Sequence, residues 1–224
     1  MYFGQSVLRR EDNRFLKGKG KFTDDLTLPN MTFAAFFRST HAHAKLISID
    51  TTKAKAKPGV VAVLSANDWI ADEMGELPCV HPMTFSDGRF MNEKLRPIFA
   101  NDKVCHVGDV IACVIGETKN QALDGVEAIR VEYEPLPACT KAGQSLDIDT
   151  PIIHTEFENN VVFEINRGDA EATANAFKNA FHISEITLAS NRVAGNPMEP
   201  RAFLAKYEES TARYSLWCTS QIPH

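Results

Sequence analysis

The sequence has no closely spaced pair of cysteines. Its five cysteines are an odd number, and no two of them are spaced C-x-x-C. Disulfide frameworks and structural zinc sites need paired cysteines, and an iron–sulfur cluster needs several thiolates from neighbouring positions. We therefore predict reduced, buried thiols, with no metal ligands and no iron–sulfur cluster on this chain.

A long apolar segment, a secretory leader and a basic patch are also lacking. No window approaches the roughly 18 consecutive apolar residues of a membrane span, and residues 1–15 have no apolar core before a small-residue cleavage site. Acidic and basic residues are intermixed at a net charge of -5, which argues against nucleic acid as a partner. With 44% hydrophobic residues, the chain is predicted to be a folded cytoplasmic protein without a membrane span.

The first half of the chain carries the local signals of a mixed α/β fold. Short apolar runs, typical of buried strands, occupy residues 31–37, 60–64 and 110–115. Asp50 is placed to cap a helix over residues 51–57, which Pro58 ends. Residues 71–100 lack periodicity and are predicted to form a long loop with short strands.

A second helix is predicted directly after residues 110–115. Thr118 and Gln121 form a T-x-x-Q capping box, and Leu123, Val126 and Ile129 recur on one helical face. Val131 begins a further strand that Pro135 closes, so this part of the chain is predicted to run strand–helix–strand.

The second half is predicted to begin with a polar linker over residues 139–160. Asp169 then caps a helix whose predicted core face consists of Ala170, Ala174, Phe177 and Phe181. Three strands of an antiparallel sheet are predicted to follow, at residues 182–188, 202–207 and 214–218.

Two pairs of residues could carry chemistry by their spacing. His41 and His43 are two apart, which on a strand places both imidazoles on one face, where they could share a metal. The alternative is one rim histidine and one structurally hydrogen-bonded histidine. Cys105 and His106 resemble a nucleophile beside a base, although adjacent strand residues face opposite sides.

Acidic residues in turns form a second group of candidates. Asp24 and Asp25 could bind a cation, but acids in turns are usually solvated caps. Glu199 lies between Pro197 and Pro200 in a rigid loop, so it is either part of a structural turn or an acid held in fixed geometry beside a site. Residues 1–17 are polar and charged and are predicted to form an extended arm.

Five ordered blocks resemble one family. They read RREDNRFLKGKGKFTDD, FRSTHAHAKLISID, VGDVIACVIGETKNQALDGVEAIRVEYEPLPA, NPMEPRAFLAKYE and LWCTSQIPH. This series is similar to the large, molybdopterin-binding subunits of the xanthine dehydrogenase, aldehyde oxidase and carbon monoxide dehydrogenase family, with carbon monoxide dehydrogenase large chains the nearest in subunit organisation.

The resemblance implies an α/β (α+β) fold, with an α/β-hammerhead domain followed by the beginning of a molybdopterin-binding domain. The expected divisions are an arm at residues 1–14, the hammerhead at 15–140, a linker at 141–160 and an incomplete cofactor domain at 161–224. In the family the cofactor is molybdopterin, in bacteria often its cytosine dinucleotide, and the reaction is hydroxylation with oxygen from water or CO oxidation.

One site residue carries over from the family. Gln221 matches the glutamine whose amide approaches the apical molybdenum ligand, so it is the predicted catalytic and cofactor-binding residue. The family's Gly-rich segment, its substrate loop and its glutamate base follow this region and are not in the 224 residues. The chain alone is therefore expected to bind no molybdenum and to lack hydroxylase activity.

Three interpretations of such a chain stay open. It could be the N-terminal portion of a molybdenum subunit, a natural split subunit completed by a partner chain, or a non-enzymatic hammerhead scaffold. The resemblance implies three partners: the remainder of the molybdenum subunit, an FAD-binding medium subunit and a [2Fe-2S] small subunit. Exposed strands near the end of the chain also predict self-association through Phe203, Leu216 and Trp217.

Overall fold

The structure is a computed structural model that describes residues 3–191, 193–197 and 199–221. The chain divides into two compact units. The larger unit is Thr32–Phe181, and the smaller unit combines Met1–Met31 with His182–His224. Each unit is described by itself.

The helices and strands follow one another in a mixed order. In chain order they are α1 (Asp12–Leu16), a 3-10 turn (Thr23–Asp25), β1 (Phe33–Arg38), β2 (Ala44–Asp50), α2 (Thr52–Lys55), β3 (Val60–Ser65), α3 (Ala66–Ala71), β4 (Lys103–Val104), β5 (Val110–Gly116), α4 (Lys119–Ala128), β6 (Arg130–Pro135), a second 3-10 turn (Ala142–Gln144), α5 (Ala170–Lys178), β7 (Phe203–Glu208) and β8 (Arg213–Cys218). None of the described helices is long and apolar enough to cross a membrane.

The first sheet of the larger unit is built around β5. Its order is β1-β5-β3, and both pairings are antiparallel. Because β5 has a strand on each side and is covered on both faces, its apolar run is almost entirely buried, with Ile111 and Val114 inaccessible to solvent. The strands predicted at residues 31–37, 60–64 and 110–115 are thus confirmed, although β1 and β3 are only half-buried.

Helix α4 packs on this sheet through small side chains. Thr118 accepts a hydrogen bond from the Gln121 N–H at 3.3 Å, which confirms the predicted cap. The predicted core face was wrong at Leu123, which is exposed, whereas Ala122 and Gly125 are buried. The helix approaches the sheet so closely that only small residues fit, and the larger leucine therefore lies on the solvent side.

A second antiparallel sheet has the order β4-β2-β6. Between the two sheets lies a cluster of four buried residues: Ala44, Ala100, Val104 and Ile111. The predicted strand–helix–strand succession is present, but β5 and β6 belong to different sheets. This architecture is the predicted mixed α/β fold, with antiparallel sheets.

The long loop before β4 contacts the predicted linker and the residues that follow it. Isolated bridges pair Leu77 with Arg96 and Thr84 with Phe90, in line with the predicted loop with short strands. Within the linker, Glu156 pairs with Lys94 of the loop at 2.6 Å, and just beyond it the Val162 carbonyl accepts the Asn92 N–H at 2.8 Å. The end of the linker therefore runs back along the loop within the larger unit.

The helix and strand predicted next need correction. Asp169 caps α5 as predicted, accepting the Ala172 N–H at 2.8 Å, but α5 buries no residue, and Phe177 and Phe181 are exposed. Residues 182–188 form no strand in the described part of the chain. A strand exists only where another strand satisfies its backbone hydrogen bonds, and local alternation cannot supply that partner.

The smaller unit contains the hairpin β7–β8. Both strands were predicted, and they pair in antiparallel register from Phe203 opposite Cys218 to Glu208 opposite Arg213. The predicted extended arm was wrong over Asp12–Leu16, which forms the short helix α1. Its first turn carries Asp12, an acid that favours a helix N-terminus, and it ion-pairs with Arg9 at 3.0 Å.

Candidate functional site

The end of the β7–β8 hairpin positions the predicted site residue. Beyond β8, the Thr219 N–H donates to the Ala202 carbonyl at 3.2 Å, so the hairpin register continues one step past the strands. Gln221 follows two residues later in a bend, and its side chain is exposed. The hairpin thus presents an accessible, uncharged amide that can both donate and accept hydrogen bonds.

A carboxylate lies beside this segment. Oε1 of Glu199 accepts hydrogen bonds from the Thr23 N–H at 3.3 Å, from the Thr23 hydroxyl at 3.4 Å and from the Thr219 hydroxyl at 3.4 Å. The Thr219 hydroxyl also lies 3.2 Å from the Pro200 carbonyl. Of the two interpretations of the proline-flanked acid, this geometry favours an acid held in place beside the candidate site.

The histidine pair does not form a metal site. His43 is buried and its Nδ1 lies 2.7 Å from the Pro137 carbonyl, so that nitrogen carries the proton and donates it. His41 stacks on Tyr133 with ring centroids 4.3 Å apart. The described residues contain no group of three or more metal-binding side chains. The pair is therefore the rim histidine and hydrogen-bonded histidine of the second interpretation.

Cys105 and His106 are not arranged as nucleophile and base. Burial raises the pKa of the Cys105 thiol, which favours the unreactive protonated form. Nδ1 of His106 instead pairs with Asp109 at 3.0 Å, and the same carboxylate accepts the Cys105 N–H at 2.6 Å. Asp109 thus stabilises this turn, and the His106 imidazole is already paired with its carboxylate.

One of the two turn acids, Asp25, acts as a cap. Asp25 accepts the Phe22 N–H at 2.9 Å and closes the 3-10 turn of the smaller unit. This arrangement matches the solvated-cap interpretation. The same turn presents Thr23, whose N–H and hydroxyl reach Glu199. The turn thereby contributes two of the three donors around the carboxylate.

The larger unit holds a cleft that the sequence did not indicate. Its volume is about 910 Å³, and its lining includes Arg38, Lys94, Cys105 and His154. Lys94 pairs with Glu156 at 2.6 Å, and this hydrogen bond holds the pKa of Glu156 below its ordinary value. These side chains come from distant parts of the chain, and no local motif relates them.

The fold and the candidate site together define a class of protein. A mixed α/β unit with two antiparallel sheets precedes a hairpin that carries an accessible glutamine amide. Residues 17–137 match the family described as "Aldehyde oxidase and xanthine dehydrogenase, a/b hammerhead domain". Residues 153–224, which include Gln221, match the "Molybdopterin cofactor-binding domain". The chain belongs to the aldehyde oxidase and xanthine dehydrogenase family, and the resemblance inferred from the five blocks is confirmed.

Individual relatives agree with this assignment. The chain is 32% identical to the carbon monoxide dehydrogenase large chain of Afipia carboxidovorans, over 96% of this chain and 27% of that protein. It is 30% identical to the 6-hydroxypseudooxynicotine dehydrogenase complex subunit gamma of Paenarthrobacter nicotinovorans, over 99% and 27%. The crystal structure of quinoline 2-oxidoreductase from Pseudomonas putida 86 superposes with a TM-score of 0.80 at 32% identity, over 100% of this chain and 27% of that one.

The chain therefore spans about a quarter of the length of the curated relatives it matches. Two of these relatives are by name a large chain and a subunit of a complex. The matched quarter contains the hammerhead region and the region that matches the cofactor-binding domain, with Gln221 inside the latter.

Proposed function

We propose that this chain supplies the hammerhead domain and the first elements of the molybdenum-cofactor domain in the large subunit of a molybdenum-dependent oxidoreductase. The observation that carries the proposal is the exposed amide of Gln221, at the end of a hairpin within the region that matches the cofactor-binding domain. We take the hammerhead as residues 15–140 and the first elements of the cofactor domain as residues 161–224, joined by a linker at 141–160 and preceded by an arm at 1–14.

The residues present fit such a cofactor. An amide N–H can donate a hydrogen bond to a metal-bound oxygen without adding charge to the site. Gln221 is exposed and lies two residues beyond a threonine that contacts Glu199, so its amide is accessible and the chain just before it is held in place. When bound, the cofactor supplies the hydroxylation chemistry, and the part of this chain is to bind and orient it.

The proposal extends to cofactor form and partners. We propose molybdopterin, as its cytosine dinucleotide, in the complete enzyme, and no molybdenum on this chain alone. The rest of the molybdenum subunit, an FAD-binding medium subunit and a [2Fe-2S] small subunit complete the enzyme, in the cytoplasm. One observation supports the absence of molybdenum on the isolated chain: the described residues contain no group of three or more side chains that could hold a metal ion.

Two measurements test the proposal. Metal analysis of the purified chain should find no molybdenum, and stoichiometric molybdenum on the isolated chain would contradict this part. In the assembled enzyme, Gln221→Ala should lower turnover about 10–100-fold, the usual effect of removing a hydrogen bond to a metal ligand. A matched control is Gln144→Ala, which changes a glutamine in a 3-10 turn of the larger unit. Wild-type turnover of Gln221→Ala would refute the assigned role.

A further inference from the structure

Glu199 joins three separate segments of the smaller unit. Its partner Thr23 is 176 residues away in the chain and belongs to the 3-10 turn, while Thr219 is 20 residues away and follows β8. The acid itself precedes β7, which begins at Phe203. One carboxylate oxygen therefore connects the N-terminal turn to the open end of the hairpin, where β7 begins and β8 ends.

An acceptor oxygen is needed at this position because several donors meet there. The Thr23 N–H and hydroxyl point at Oε1 of Glu199, and the single Thr219 hydroxyl proton is shared between this oxygen at 3.4 Å and the Pro200 carbonyl at 3.2 Å. A carboxylate or amide oxygen has lone pairs enough to accept several donors. Glu199 is half-buried, so water competes less for these donors than it does at the exposed end of the hairpin.

The contact to Thr219 bears directly on Gln221. Two residues of extended chain span at most about 7 Å, so holding Thr219 restricts the position of Gln221 to a small volume. The N–H of Thr219 is bound to Ala202, which prevents this residue from turning away from the hairpin. Backbone and side chain of Thr219 are therefore both fixed, immediately before the bend that carries the amide.

We propose that Glu199 is a positioning residue, which acts through Thr219 to hold the amide of Gln221 in the geometry that the cofactor requires. The proposal rests on the function proposed for Gln221. It adds a residue that touches neither cofactor nor substrate.

The test is residue-resolved hydrogen exchange on the 224-residue chain, without molybdenum. Glu199→Ala should accelerate exchange of the Thr219 backbone amide, which donates to the Ala202 carbonyl, about tenfold, as expected for the loss of a charged acceptor. Glu199→Gln keeps an oxygen that accepts the same donors, and exchange should stay within about threefold of wild type. The strand pair Tyr207 and Tyr214 should be unaffected in both variants.

A matched control and a second variant complete the design. Glu209→Ala removes an exposed acid next to β7 and should leave exchange at Thr219 unchanged. Should Glu199→Ala fail to fold, Thr219→Val carries the test, because it removes only the hydroxyl donor and should reproduce the acceleration at the backbone amide of residue 219. Thr219→Ser, which keeps the hydroxyl, should restore slow exchange.

Two results would overturn the proposal. One is unchanged exchange at the Thr219 backbone amide in Glu199→Ala. The other is equal acceleration over the whole hairpin without rescue by Glu199→Gln, which would make the acid a general stabiliser of the unit. Failure of the proposed function would give a different result from failure of this proposal. It would appear as full turnover of Gln221→Ala in the assembled enzyme, whatever the exchange rates of the chain.

Discussion

Gly116 lies where the central strand of the larger unit meets its main helix, and its replacement by alanine is the most direct test of the packing described above. An added Cβ would lie 2.6 Å from the Ala122 backbone nitrogen, 3.0 Å from the Ala122 Cα and 3.1 Å from the Thr118 carbonyl oxygen. All three obstacles are backbone atoms at the start of α4. No side-chain rotation relieves them, so α4 must shift away from the sheet.

The expected cost follows from two opposing effects. Overpacking in a well-packed core costs about 1–3 kcal/mol. Alanine in place of a strand glycine returns about 0.5–1 kcal/mol, because it reduces the conformational entropy lost on folding. We therefore expect Gly116→Ala to lower the free energy of unfolding by about 1–2 kcal/mol, which for a chain of this size is a fall in Tm of about 2–8 °C.

Urea unfolding followed by tryptophan fluorescence measures this change. A Trp217→Phe background leaves Trp69 as the reporter, and Trp69 packs against Phe99 in the larger unit with ring centroids 5.9 Å apart. The control is Gly143→Ala, where an added Cβ meets nothing within 4 Å. If Gly116→Ala unfolds within about 0.5 kcal/mol of this control, the close approach of α4 to β5 is refuted.

Three further predictions concern titration, thiol reactivity and association. Burial, and then Lys94, lowers the pKa of His154 from its ordinary value of 6.5. Below about pH 6.5 the unfolded chain therefore binds more protons than the folded chain, so the stability of the larger unit should fall as the pH drops below this value. In urea titrations, His154→Gln should flatten this pH dependence. The predicted burial of the thiols was wrong for Cys79, which is exposed, whereas Cys113 is buried, and burial raises the pKa of its thiol. Iodoacetamide should therefore alkylate Cys79 well before Cys113, and equal rates in peptide mass spectrometry would contradict the core packing. Leu216 is 61% exposed on an open hairpin, so light scattering should detect self-association that Leu216→Lys weakens; a wild-type monomer at high concentration would argue against it.

Local signals predicted the elements of the larger unit well. The buried run at Val110–Gly116 and the cap at Thr118 each depend on residues within a few positions of one another. Such short-range patterns require no tertiary contact, and both are present in the structure. The resemblance of the five blocks likewise depends on order and spacing along the chain, and the family assignment confirms it.

Two of the errors concern whether another surface covers a predicted apolar face. Leu123 has the hydropathy of a core residue, but the close approach of α4 to β5 admits only Ala122 and Gly125. The stripe on α5 satisfies the helical period, yet Phe177 and Phe181 are exposed. Periodicity identifies an apolar face, but it carries no information on the size or presence of the surface that covers it.

The residues of the candidate site also differ in how far the sequence could predict them. Gln221 could be predicted from the sequence because a short motif identifies it, and its role stays a prediction. The contacts of Glu199 could not, because its partner Thr23 is 176 residues away and only the folded chain brings them together. The sequence by itself determined most of the strands, the caps of α4 and α5 and the family, all of which rest on short-range patterns. Only the tertiary structure decided which faces are buried and which side chains hold the glutamine segment, because those depend on contacts between residues that chain order does not relate.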